Sequence, residues 1–182
     1  MKKRYIGLLC ILVTALIALN SYSLIYRIGN DKEQLADSIY EHSVGKSNVS
    51  GSIDIKQQLN IDNKKYILFT IKATLGDAEL TKGFNNKYKI YYTQFGSNNL
   101  RWQVHETNKG KYFILKGKNH NGNIAYAKML LENKEYKISI PNQEYFLTYC
   151  KVPIETESVV PEVNNLKFYN KNDEDITYES LR

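Results

Sequence analysis

Residues 53–77 read IDIKQQLNIDNKKYILFTIKATLGD, and this stretch decides the fold class. Ile53, Ile55, Leu59 and Ile61 alternate with polar neighbours, and Asp62-Asn63-Lys64-Lys65 then supplies a turn. Ile67, Phe69, Ile71 and Ala73 follow, interleaved with Tyr66, Leu68 and Thr70, until Gly76-Asp77 marks the next turn. Residues two apart share one face of a strand, so this period predicts β structure rather than helix.

The same rhythm continues toward the C-terminus. Tyr88, Ile90 and Tyr92 form a run closed by Gly96-Ser97-Asn98-Asn99, and Asn108-Lys109-Gly110 separates Leu100–Thr107 from Lys111–Lys116 as a hairpin would. After a loop over residues 118–123, Tyr136–Ile140 and Tyr145–Val152 flank Pro141-Asn142-Gln143. Ala125–Glu132 is rich in helix formers but sits at strand spacing. It is taken as a strand, and a helix there would move the fold towards α+β. Strand runs at this spacing without a long intervening helix predict an antiparallel sandwich or barrel over residues 49–152. Residues 153–182 are an acidic extension with prolines at Pro153 and Pro161, a last strand over Val163–Tyr169 and a polar turn at Asn170–Asp175.

Toward the N-terminus the pattern changes. Asn30 followed by Glu33 fits a capping box. Leu35, Ala36 and Ile39 then share one face, so a short amphipathic helix is predicted over residues 31–43, ended by Gly45, within a 28–48 linker region. Residues 5–26 hold no Asp, Glu, Lys or Arg and follow Lys2-Lys3-Arg4. A helix of that length crosses the hydrocarbon core, and the preceding cations keep the N-terminus cytoplasmic and send the rest outside. Residues 1–27 are thus a membrane anchor, with Tyr22 and Tyr26 at the far interface. The alternative is a signal peptide cut after Ser21-Tyr22-Ser23, which would release a secreted domain. Cys10 follows Leu9 and comes too early for a lipoprotein site.

The formal charge of +6 does not indicate nucleic acid, because residues 28–182 carry 21 Lys and Arg against 19 Asp and Glu. A mildly basic body with an acidic tail remains compatible with a polyanionic wall polymer. Abundant Lys, Asn, Ile and Tyr beside scarce Arg share A- and T-rich codons, which points to a bacterial genome. Two cysteines, one of them within the anchor, make neither a disulfide framework nor a zinc site, and Cys150 reads as a small core residue.

Catalytic motifs are missing: no nucleophile elbow, no paired zinc histidines, no phosphate loop. No catalytic, cofactor-binding or metal-ligating residue is therefore assigned. His105 lies beside Trp102, Gln103 and Glu106, but alternation puts His105 and Gln103 on one face and Trp102, Val104 and Glu106 on the other. Of the 15 tyrosines, adjacent Tyr91 and Tyr92 face opposite sides, so one is exposed. Tyr91, Tyr92, Trp102 and His105 form the candidate binding surface. The expected function is a non-enzymatic envelope module, anchored through residues 5–26, that binds a protein partner. A carbohydrate or wall-polymer module, and a hydrolase using His105 as general base with a distant carboxylate, are the alternatives.

Overall fold

The computed structural model describes residues 2–44 and 51–181, with side chains from Tyr5 onward; Gly45, the expected helix stop, lies outside the described residues. The protein is mainly β with antiparallel sheets, one N-terminal apolar helix and a short second helix. Helix α1 spans Lys2–Ile25, and its Tyr5–Ile25 portion is long and apolar enough to cross a membrane. Its 21 residues rise about 31 Å, close to the hydrocarbon thickness of a bilayer.

Helix α2 (Lys32–Ser43) starts one residue later than the sequence suggests. Asp31, not Asn30, is its N-cap, accepting from the backbone N–H groups of Glu33 and Gln34 at 3.0 Å each. Gln34 Oε1 reaches back to the Gly29 N–H at 2.9 Å. The aspartate wins because its carboxylate also meets the positive end of the helix dipole.

Strands β1 (Ile53–Ile61), β2 (Lys64–Ile71), β3 (Thr74–Lys82) and β4 (Tyr88–Gly96) form a four-stranded antiparallel meander. Here one sequence expectation fails. Gly76-Asp77 is not a turn but the heart of β3; the chain reverses at Lys72-Ala73, where Lys72 adopts φ 55°. Gly76 is there for close packing: a Cβ would collide with the Phe69 ring and approach Gln94 O at 3.0 Å.

Strands β5 (Leu100–Thr107), β6 (Gly110–Lys118) and β9 (Tyr145–Val152) make a second sheet in the order β5-β6-β9. The third, β10-β7-β8, comprises β7 (Tyr126–Leu131), β8 (Lys134–Ser139) and β10 (Leu166–Tyr169). The ambiguous segment is thus a strand, its apolar Ala127, Met129 and Leu131 buried at period two. A single turn of helix, α3 (Thr177–Ser180), follows β10.

Alternation sets the layers. In β2, Ile67 and Phe69 pack with Leu35 and Ile39 of α2, while Tyr66 meets Ile114 of β6 across the opposite face. In β6, Phe113 and Leu115 face the third sheet, joining Met129, Leu131, Phe146 and Phe168 in the largest apolar cluster. The order is therefore α2, first sheet, second sheet, third sheet. The second and third sheets pack as a sandwich around an apolar core. The gap between the first and second is partly polar, and there the chemistry concentrates.

Helix α1 does not stop short of this body. Tyr22 stacks on Phe84 of the β3–β4 turn (centroids 3.8 Å apart) and on Tyr26 (4.5 Å). The Phe84 N–H donates to Tyr22 Oη at 2.9 Å, and Asn85 Nδ2 donates to the Tyr26 carbonyl at 2.9 Å. Ile28 then pairs with Tyr88 through two backbone hydrogen bonds.

Candidate functional site

Period two places Asp77 and Glu79 on the face of β3 that meets β5, and Arg101, Gln103 and His105 on the face of β5 that meets β3. Ala78 and Leu80 point the other way, into the α2 cluster. Two buried carboxylates are thereby carried into an inter-sheet space, where an unpaired charge would be very costly.

Both are paired. The Asp77 side chain, only 1% exposed, accepts from Lys116 Nζ at 2.6 Å, Arg101 Nη1 at 2.8 Å, Tyr92 Oη at 3.1 Å and Gln94 Nε2 at 3.1 Å. Arg101 also donates through Nη2 to the carbonyls of Leu75 and Gly96, tying β3 and β4 of the meander to β5. Burial pushes the Asp77 carboxyl up, but the Lys116 ammonium and the Arg101 guanidinium overrule it and hold it below the ordinary carboxylate range.

Glu79 divides its oxygens. Oε1 accepts from Lys64 Nζ at 2.6 Å and Oε2 from His105 Nδ1 at 2.7 Å. Burial again raises its affinity for a proton, and the hydrogen bonds from His105 and Lys64 more than reverse this. For His105 the balance falls the other way: burial, chiefly, together with nearby Lys116 lowers its pKa despite the Glu79 carboxylate. The ring is thus neutral near pH 7, and the contact is a hydrogen bond donated by Nδ1–H rather than an ion pair. That fixes the tautomer and leaves Nε2 as an acceptor, enclosed and without a partner among the described residues. Tyr66 lies edge-on to the ring at 4.9 Å and Tyr92 parallel to it at 6.3 Å.

Above this floor lies an open depression of about 600 Å³, lined by Lys64, Tyr91, Tyr92, Gln94, Gln103 and Glu106 with Glu79 and His105 beneath. Tyr91 is 66% exposed, with Lys64 Nζ 4.8 Å from its ring centroid and Tyr92 edge-on at 6.1 Å. The structure therefore brings together Tyr91, Tyr92 and His105 of the four residues singled out from the sequence. Tyr91 and Tyr92 do not take the opposite faces that strict alternation predicts: Tyr92 pairs with Glu79 and Ile90 with Leu80, so a β-bulge at Tyr91 brings both rings to the same depression. Trp102 goes elsewhere, packing against the core between the second and third sheets and donating Nε1–H to the Pro161 carbonyl at 2.9 Å. Glu106 is exposed and is not the partner of His105; that partner is Glu79, 26 residues away.

Asp77, Glu79, Lys64, Arg101 and Lys116 are not legible as a site from the sequence. The signal lies in Asp77-Ala78-Glu79-Leu80, where acid and apolar alternate as in a strand with one charged inward face. Cys150 packs against the core, and burial pushes its thiol up to about 11, away from the reactive range. No protein-family model, curated protein or solved structure matches this chain.

Proposed function

We propose that this chain is a single-pass envelope protein, N-terminus cytoplasmic, whose external β-rich body binds a protein partner through the Tyr91 depression. One observation carries the reading. Tyr91 projects a largely exposed ring beside Gln94, Gln103 and Glu106, over a floor locked by paired charges. A large, low-entropy aromatic on a rigid base is what anchors most protein interfaces. The floor carboxylates spend their acceptor capacity on Lys64, Arg101, Lys116 and His105, which suits them to holding shape rather than to accepting protons from a substrate.

The contact between α1 and the body supports a retained anchor over a discarded signal peptide. Cleavage before Leu24 would remove Tyr22 and strip Phe84 of its stacking partner and its N–H of an acceptor. A photo-crosslinking residue at position 91 of the full chain, in intact cells, tests the proposal. One discrete heterologous protein adduct, missing when the probe sits at exposed Tyr149, is expected. Equal labelling from both positions would refute a dedicated surface.

A second reading, a glycan or wall polymer as ligand, is favoured by the same ring standing among side-chain amides, since sugars stack their apolar faces on aromatics. It predicts that the full chain in detergent sediments with isolated wall polymer and that Tyr91→Ala abolishes this. A hydrolytic use of His105 finds its oriented imidazole in the Glu79 contact, but Nε2 would have to be uncovered before it could take a proton.

A further inference from the structure

The β3–β4 turn, residues 83–87, has a chemistry of its own. Phe84 is 72% exposed, the largest exposure of any large apolar side chain beyond α1 among the described residues. It is not a loose side chain. Its ring stacks on Tyr22, its N–H is held by Tyr22 Oη, and the next residue, Asn85, is tied to the Tyr26 carbonyl. Gly83 permits this approach, because a Cβ there would lie 2.5 Å from Tyr22 Oη and 2.7 Å from the Tyr26 ring. Exposed Lys82 and Lys87 lie two residues before and three residues after Phe84 in the chain, and Lys89 Nζ is 5.2 Å from the Tyr26 ring centroid; residues 82–90 contain no acid.

An exposed aromatic flanked in the chain by exposed lysines, and fixed to the end of an apolar helix, suits the boundary between acyl chains and headgroups. Resting on the reading of α1 as a retained anchor, we infer that this turn is a second membrane-contact element, Phe84 entering the interface and Lys82 and Lys87 meeting anionic phospholipid headgroups. Depth follows from geometry. Tyr22 lies one helical turn before the end of a helix that matches the hydrocarbon thickness, and Phe84 lies 3.8 Å from it, so both sit at the same level. The body is then clamped to the bilayer at two points instead of swinging on one. Lys residues near an anionic surface strengthen such contacts and weaken them when salt rises.

The test uses the full chain reconstituted in bilayers containing a fifth anionic phospholipid, with lipids brominated at shallow or deep acyl positions as quenchers. Native Trp102 supplies the background, Phe84→Trp reports the turn, and Leu16→Trp reports the middle of α1. The indole placed in the turn is expected to be quenched at least twofold more by shallow than by deep bromines, and the indole placed in mid-helix the reverse. Adding Lys82→Glu and Lys87→Glu to the Phe84→Trp chain should reduce the quenching of the turn in anionic but not in zwitterionic bilayers, and unchanged quenching would refute the headgroup contact. A turn indole quenched no more than Trp102, with the mid-helix indole still quenched, would overturn the inference and leave the anchor standing. Loss of quenching at mid-helix as well would instead show that the anchor reading fails and takes this inference with it.

Discussion

Replacing Asp77 with alanine removes one carboxylate and leaves two cations without their main counterion. Arg101 keeps the carbonyls of Leu75 and Gly96, but Lys116 Nζ, on a side chain only 2% exposed, keeps a single hydroxyl, that of Tyr92. Breaking a buried pair from one side costs about 3–5 kcal/mol, because the surviving charge stays in a medium that cannot solvate it. At roughly 2–4 °C per kcal/mol for a chain of this size, Tm should fall by about 10 °C. Asp77→Leu with Lys116→Met removes both ends of the pair and should recover much of that loss, since apolar replacement of a whole buried pair is often neutral. The sole tryptophan gives the assay: Trp102 packs against the core, so urea unfolding of the full chain in mild detergent can be followed by its fluorescence. An Asp77→Ala cost below about 1 kcal/mol, or strictly additive effects of the two substitutions in a double-mutant cycle, would refute the reasoning.

Acidification should destabilise the body in two steps. His105 is held below its ordinary pKa in the fold, so the unfolded chain takes up its proton first and stability declines as pH falls below about 6.5, at no more than about 1.4 kcal/mol per pH unit. Asp77 and Glu79 are also held low, so their contribution is present above about pH 4 and is lost below it; in pH-dependent unfolding His105→Phe should remove the upper step and, by taking a donor from Glu79, shrink the lower one to a remainder that includes the Asp77 share. Gly117→Ala should cost about 1–3 kcal/mol by thermal melting, because the added methyl meets the backbone oxygen of Asn99, which cannot swing aside as a flexible side chain would. Tyr91→Ala should leave Tm within about 1 °C, being a surface change, while removing the position-specific adduct or polymer sedimentation; a large Tm loss would mean the ring is structural.

What the sequence discloses follows from how local its cause is. Strand existence is visible wherever one face is apolar, as at Ile53–Ile61 and Leu100–Thr107. The course of β3 is hidden because Gly76-Asp77 carries turn chemistry, and the true reason for the glycine, the close approach of the Phe69 ring, is a tertiary fact. The shift of the α2 cap from Asn30 to Asp31 is the same kind of error on a smaller scale. Tyr91, Tyr92 and His105 stand out by residue type, but alternation separates Tyr91 from Tyr92, and the bulge that unites them has no local signature. Their convergence over Glu79 is out of reach, since β3 and β5 meet only through the stacking of two sheets and the partners Glu79 and His105 are 26 residues apart.

We propose that α1 is retained as part of one unit with the β-rich body at the membrane. Intact-mass measurement of the chain from the membrane fraction tests it most directly. A single species at the full 21.1 kDa, resistant to alkaline extraction, is expected. A species lacking residues 1–23, recovered outside the membrane fraction, would contradict it.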